Sequence, residues 1–302
     1  MNTIPDNQNT EPALKIMRAR QWTYLVASRY LLAQIALTVV VPIVAAVASL
    51  FRPDLRPHFA ALALAILVLD ATYLDREIKR LAKQAAKLGE AFDCLVLYLA
   101  WNSFVADDQL DSEDIHSAAR AWSRRRGDET LIDWYPTAVG SLPLSLGRIV
   151  CQRTNLRYDS QLRRSYGVFI IFVVLIVSAT LLISGLVRDL NLTAWVLTLA
   201  PATPLLSWAG REFFRQRDAA EQLERIMKKA RSFWDRALGG ACSPHDCERE
   251  SREFQDAIYL RRSTSPLVMP FLYKFKRLAL EDEMNEAAND FLARYFETQA
   301  GS

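Results

Sequence analysis

Asp133-Trp134-Tyr135-Pro136 opens the stretch that decides the fold. Leu144-Ser145-Leu146-Gly147-Arg148-Ile149-Val150-Cys151-Gln152-Arg153-Thr154-Asn155-Leu156-Arg157-Tyr158-Asp159-Ser160 then leads into an uncharged apolar run, Ser165 to Val187. No proline interrupts Leu144 to Val187, so nothing local stops one helix from passing out of a basic, aromatic segment into an apolar one. Anything held by the first half can then move the second.

Three further runs resemble the apolar half: Tyr30 to Phe51, Pro57 to Leu74 and Leu190 to Gly210. All four are about 18 to 23 residues long, and a helix needs about 20 to cross a bilayer. They pair into two hairpins with short connectors, Arg52 to Arg56 and Arg188-Asp189. Lys and Arg crowd the opposite ends, at Lys15, Arg18, Arg20 and Arg29, then Arg76 to Lys87, Arg153 to Arg164 and Arg211 to Arg231. Positive charge stays on the cytoplasmic side, which places both termini and the middle segment in the cytoplasm. The sequence therefore reads as an all-α membrane protein with four transmembrane helices in two hairpins. Its helical cytoplasmic domain is built from the central insert and the C-terminal segment. The divisions are 1–29 (a basic cytoplasmic segment), 30–74 (hairpin), 75–164 (insert), 165–210 (hairpin) and 211–302 (C-terminal segment).

Composition agrees with this division. Hydrophobic residues make up 51% of the chain and charged ones 24%, and the charges are clumped rather than interspersed. A net charge of +3 gives no reason to expect direct DNA or RNA binding. Cys94, Cys151, Cys242 and Cys247 lack the dense spacing of a secreted disulfide framework, and Met1 to Ala13 is too polar for a cleavable signal. Reduced cysteines and an inner-membrane location are expected.

Helix signals punctuate the polar parts. Tyr73 to Cys94 is rich in helix formers, with a break expected at Gly89, and Arg211 to Leu238 stops at Gly239-Gly240. Ser112 is a candidate N-cap for a helix over Ile115 to Arg125, and Pro136 and Pro143 bracket a loop. Helices are expected over Asp246 to Arg262 and Phe271 to Thr298, with a turn at Ser263-Thr264-Ser265-Pro266 between them. No period-two strand pattern is present.

The chemistry points to binding rather than catalysis. GxSxG, HExxH, Gly-rich phosphate loops and the dinucleotide fingerprint are all missing from the sequence, so no catalytic residues, metal or cofactor are expected and the chain does not read as an enzyme. His58, His116 and His245 are scattered, and Cys242-Ser243-Pro244-His245-Asp246-Cys247 matches no zinc spacing. Guanidinium groups suit phosphates and aromatic rings suit bases. Trp134, Tyr135, Arg148, Gln152 and Arg153 are accordingly candidates for ligand contact, and so are Arg261 and Arg262 before their hydroxyl-rich turn. Arg163 and Arg164 read as span-end anchors. Within the spans, Asp70 is the only charge at neutral pH, either functional or reaching outward to the boundary. Gln34, Thr38, Ser178 and Thr180 read as pore-lining or interhelical polar residues, and Pro201 and Pro204 as kink or gating positions.

Several pieces in order resemble a known family. They are Asn7-Gln8-Asn9 with Glu11, Ala91-Phe92-Asp93 and Trp101-Asn102, followed by Asp133-Trp134-Tyr135-Pro136. After these come the helix bearing Arg148, Cys151, Gln152, Arg153 and Asp159, and Gln255-Asp256 through Ser265-Pro266. Together they resemble the SMODS-associating four-transmembrane pore-forming effectors over nearly the whole chain. Proline often precedes the Trp-Asn pair in that family, whereas this chain has Ala100. The resemblance implies a membrane effector of bacterial antiphage (CBASS) signalling whose partners are the lipid bilayer and a cyclic nucleotide second messenger. Four helices enclose little room, so a pore is expected between protomers of a homo-oligomer. A membrane disruptor without a pore and a membrane-anchored ligand-binding scaffold are the alternatives.

Overall fold

The computed structural model describes residues 2–41, 44, 45, 48, 52–187 and 203–300. Its regular elements are all helical, with no strand among the described residues. The N-terminal turn α1 (Ile4–Asn7) precedes α2 (Glu11–Ile35), which Pro12 enters in its first turn and a π-turn over Ala36–Val40 prolongs. A 3-10 turn leads to α3 (Arg56–Leu69), and a second π-turn, Asp70–Leu74, joins it to α4 (Asp75–Leu97). Then follow α5 (Ser103–Ala106), α6 (Ser112–Ser123) and α7 (Leu144–Val187), and after these α8 (Thr203–Leu238), α9 (Pro244–Thr264) and α10 (Pro270–Ala300).

Two long pairings organise the chain. Helix α2 lies against α4 and α6, and α7 runs along α8, while α9 bridges α4 to α7 and α10 covers α7. The main core draws on the whole sequence. Ile4 and Met17 meet Phe92, Trp122, Tyr135, Ile149, Phe233, Trp234, Phe254 and Phe291. The N-terminal segment thus does more than carry basic residues near a membrane: Ile4, Ala13 and Met17 are fully buried.

Away from that core the surface turns apolar. Leu62, Leu64, Leu67 and Val68 on α3 are exposed, as are Val168, Phe172, Leu175, Ile183 and Leu186 on α7. Among the described residues, two stretches are long and apolar enough to cross a membrane, Glu11–Val40 and Leu144–Thr180, with 11% and 29% of their apolar windows buried. The core helix of a soluble protein would reverse that proportion. Most of the Leu190 to Gly210 run, and the end of Tyr30 to Phe51, lie outside the described residues.

Local expectations needed three corrections. Helix α4 runs through Gly89 without a break, because the tertiary structure uses that glycine for space: a Cβ there would meet Arg262 Nη1 at 3.1 Å and Arg20 Nε at 3.3 Å. Ser112 is the first residue of α6 rather than its cap, and Asp111 precedes it in extended conformation. Helix α9 also takes in Ser263 and Thr264, so the turn starts at Ser265. Where α7 and α8 approach each other, Gly167 keeps the gap open, since a Cβ would stand 3.3 Å from the Phe213 ring.

Candidate functional site

Two acidic side chains on α4 form the centre of a buried polar network. Glu90 and Asp93 are each 1% exposed, so each needs a cation or several donors to remain charged. Arg262 Nη1 reaches Asp93 Oδ2 at 2.6 Å, and Arg252 pairs with Glu90. Gln255 Nε2 donates to both carboxylates, at 2.8 Å to Asp93 and 2.9 Å to Glu90. The Tyr135 hydroxyl donates to Asp93 Oδ1 at 2.5 Å and accepts from Asn155 Nδ2 at 2.8 Å. Burial pushes Glu90 above the usual carboxylate range despite Arg252. Burial and Asp93 likewise push the Tyr135 phenol up, so it stays a proton donor.

The loop that carries Tyr135 is clamped from the N-terminus. The Gln8 side chain accepts from Tyr135 N at 2.7 Å and donates to Tyr135 O at 3.1 Å. The Asn9 side chain accepts from Asp133 N at 3.0 Å and donates to the Asp133 carboxylate at 2.8 Å, which holds the left-handed backbone there, φ 52°. Asn102 Nδ2 donates to Asp256 Oδ2 at 2.9 Å, and Gln152 Nε2 to Ser251 O at 2.7 Å. Motif pieces scattered along the sequence are thus one another's packing partners.

These bonds occupy several of the ligand candidates. Tyr135 is fully buried with its ring stacked on Phe92, and Gln152 and Arg262 hold neighbouring helices. Arg148 donates to Leu97 O and Tyr98 O, both at 2.6 Å. It thereby caps the end of α4, where Tyr98 turns left-handed at φ 54°. Arg148→Ala should therefore destabilise the fold by about 1–3 kcal/mol, measured as a lower thermal unfolding midpoint in detergent. Arg163 also departs from the anchor reading. It is 5% exposed and bonds Asp159, Gln216 Oε1 and Pro266 O. Arg164, by contrast, is exposed and pairs with Glu224. Arg261 lies near Arg163 and Asp159, and burial together with Arg163 lowers its pKa.

Arg153 has a different environment. With Arg157 it lines a cleft of about 350 Å³ between α7 and α10, whose far wall carries Glu283, Glu286 and Asp290. The Arg153 guanidinium stands 4.8 Å from the centre of the Phe291 ring. Burial and the nearby Arg157 and Arg231 lower its pKa, and no carboxylate is ion-paired to any of the three among the described residues. This concentrates positive charge beside an aromatic ring, facing an acidic wall.

Arg20 escaped the sequence reading. Its guanidinium stacks over Trp134 at 4.9 Å and Tyr24 at 5.6 Å, with Nε buried and without a hydrogen-bond partner. Trp134 is partly buried under it. In the sequence Arg20 is one of several basic residues ahead of an apolar run, and no local signal distinguishes it.

The polar residues of the apolar helices are partly paired. Gln34 Nε2 donates to Asp70 Oδ1 at 2.7 Å, and the Tyr30 and Tyr73 hydroxyls lie 3.3 Å apart. Both contacts join α2 to the α3–α4 junction near the two π-turns, so Asp70 serves as an interhelical partner. Thr38 and Thr180 bond the carbonyls of Gln34 and Ile176 in their own helices. Ser178 is half-buried on α7, Pro204 is the second residue of α8, and Pro201 lies outside the described residues. Among the described residues no group of three or more His, Cys, Asp or Glu side chains could hold a metal ion.

With these contacts in place, the family question turns on the whole chain. The model of the SMODS-associating 4TM effector domain matches residues 2–291. The chain belongs to this family. A protein of Bacillus cereus strain VD146, described as a "Probable CBASS effector molecule", is 22% identical over 288 residues, covering 92% of this chain and 95% of the relative. No solved structure matches. In this SMODS-associating 4TM effector, several residues that carry the resemblance, Gln8, Asp93, Tyr135, Gln152, Gln255 and Arg262, take part in the Glu90–Asp93 network. The Arg153 cleft is a second, chemically distinct feature on the other side of α7.

Proposed function

We propose that this chain is a CBASS effector of the bacterial inner membrane that answers a cyclic nucleotide or oligonucleotide by permeabilising the bilayer. One observation carries the reading: α7 is an unbroken helix of 44 residues, Leu144–Val187, with Arg153 and Arg157 on the cleft at one end and exposed apolar side chains at the other. In this reading the four apolar runs span the membrane with both termini cytoplasmic, and protomers assemble around a pore. Family membership and the relative's description support the CBASS setting.

The cleft supplies a gating argument. An anionic ligand is attracted by Arg153 and Arg157 and repelled by Glu283, Glu286 and Asp290. It therefore binds better when α10 has moved away, and that difference in affinity shifts the population of states. The double reversal Arg153→Glu with Arg157→Glu should weaken binding at least about tenfold, which is about 1.4 kcal/mol. Isothermal titration with a panel of cyclic di- and trinucleotides would measure this, with dye release from vesicles as the functional readout. Unchanged affinity in the double variant overturns the site. Saturable binding without dye release overturns permeabilisation and favours the membrane-anchored scaffold.

A further inference from the structure

The turn between α8 and α9 holds two thiols in contact. Helix α9 starts at Pro244 behind Ser243, whose hydroxyl oxygen accepts from Asp246 N at 3.2 Å and lies 2.6 Å from Asp246 Oδ2. In such a capping arrangement, the residue before the cap and the fourth residue of the helix normally form an apolar staple across the first turn. Here those positions are Cys242 and Cys247, and their sulfurs are 2.7 Å apart. Packed apolar atoms sit about 3.5–4.0 Å apart, so this pair is closer than a staple requires.

The two thiols differ in access. Cys247 is 4% exposed and belongs to the main core with Phe233 and Phe254. Cys242 is half-exposed and follows the exposed residues Gly239, Gly240 and Ala241. One sulfur can meet a small oxidant while the other waits behind it. Cys94 and Cys151 have no thiol neighbour of this kind among the described residues. A metal does not explain the pair, since His245 and Asp246 do not complete a ligand group with it, and Asp246 is held by Ser243 and Arg249.

We propose that Cys242 and Cys247 form an oxidisable dithiol, a redox modification site that locks the first turn of α9. With a peroxide as oxidant, the Cys242 thiolate attacks one peroxide oxygen and breaks the O–O bond, giving a sulfenic acid and hydroxide, which takes up the proton lost by the thiol and leaves as water. The Cys247 sulfur then attacks that sulfenic sulfur, expelling a second water and forming the disulfide. Two thiols and one hydrogen peroxide become one disulfide and two waters, with two electrons passing from sulfur to oxygen. Burial and the adjacent Cys242 push the Cys247 thiol up to about 12, which disfavours its thiolate and leaves the first attack to the more exposed Cys242. Helix α9 carries Arg252, Gln255 and Arg262, so the lock acts on the element that neutralises Glu90 and Asp93.

The full chain in detergent, treated with hydrogen peroxide, unfolded in iodoacetamide and digested with trypsin without reduction, tests this directly. Both cysteines fall in one peptide, Ala237 to Arg249. The expected product is that peptide lighter by two hydrogen atoms and free of alkyl groups. In Cys242→Ser, Cys247 should instead be alkylated after the same treatment. A wild-type peptide carrying two alkyl groups overturns the proposal. So does Cys242 oxidised to an acid beside an alkylated Cys247, or a disulfide joining two chains.

Discussion

Arg262→Met is expected to lower the thermal unfolding midpoint of the detergent-solubilised chain by about 10 °C. Arg262 is the cation for Asp93, at 2.6 Å, and Asp93 is 1% exposed. Removing one partner of a buried pair leaves an uncompensated charge and costs about 3–5 kcal/mol. For a helical body of this size each kcal/mol moves the midpoint by about 2–4 °C. The Tyr135 hydroxyl and Gln255 amide remain on Asp93, but the nearby Glu90 adds repulsion in a site closed to water. The double variant Asp93→Asn with Arg262→Met should recover most of the loss, because it removes the stranded charge and keeps the shape. A single variant that melts like wild type would refute the pairing as a source of stability.

The second large effect is expected at Trp234. Its side chain is fully buried on α8, and the Phe291 ring on α10 stands edge-on with centroids 4.7 Å apart. Trp→Ala at such a site costs about 3–5 kcal/mol in lost burial and residual cavity. The indole Nε1 is buried without a hydrogen-bond partner, so Trp234→Phe removes an unmet donor while keeping much of the ring contact. That variant should cost less than about 1.5 kcal/mol. The difference between them isolates packing from polarity. The alanine variant should also loosen α10, whose other ties include Arg153 on Phe291, Arg294 with Asp235, and Gln161 with Glu283. Faster amide exchange along α10 in Trp234→Ala, but not in Trp234→Phe, is the measurement. Equal exchange in the two variants would mean that the last helix is held elsewhere.

Legibility followed distance along the chain. Pro143 ahead of α7 and Gly239-Gly240 after α8 marked their boundaries correctly, because proline and glycine act on their own backbone. The unbroken course of α7 was readable for the same reason. Gly89 misled, since its cause is two arginine side chains brought over it from α2 and α9. Tyr135 and Arg262 looked like ligand contacts, yet their partner Asp93 lies 42 residues from one and 169 from the other. Arg153 faces a cleft, and its neighbour Arg231 comes from α8.

The sequence by itself determined that this protein is helical, that long apolar runs alternate with basic segments, and that one helix joins the two kinds. Those properties reside in helix propensity, hydropathy and breakers, all of which are local. Only the tertiary structure decided which arginines serve the fold and which face open space. A guanidinium offers the same fork of donors to a phosphate, a carboxylate or a helix-end carbonyl. Its role is set by whichever acceptor folding brings within reach: Leu97 and Tyr98 for Arg148, Asp93 for Arg262, and for Arg153 the face of Phe291 beside an open cleft.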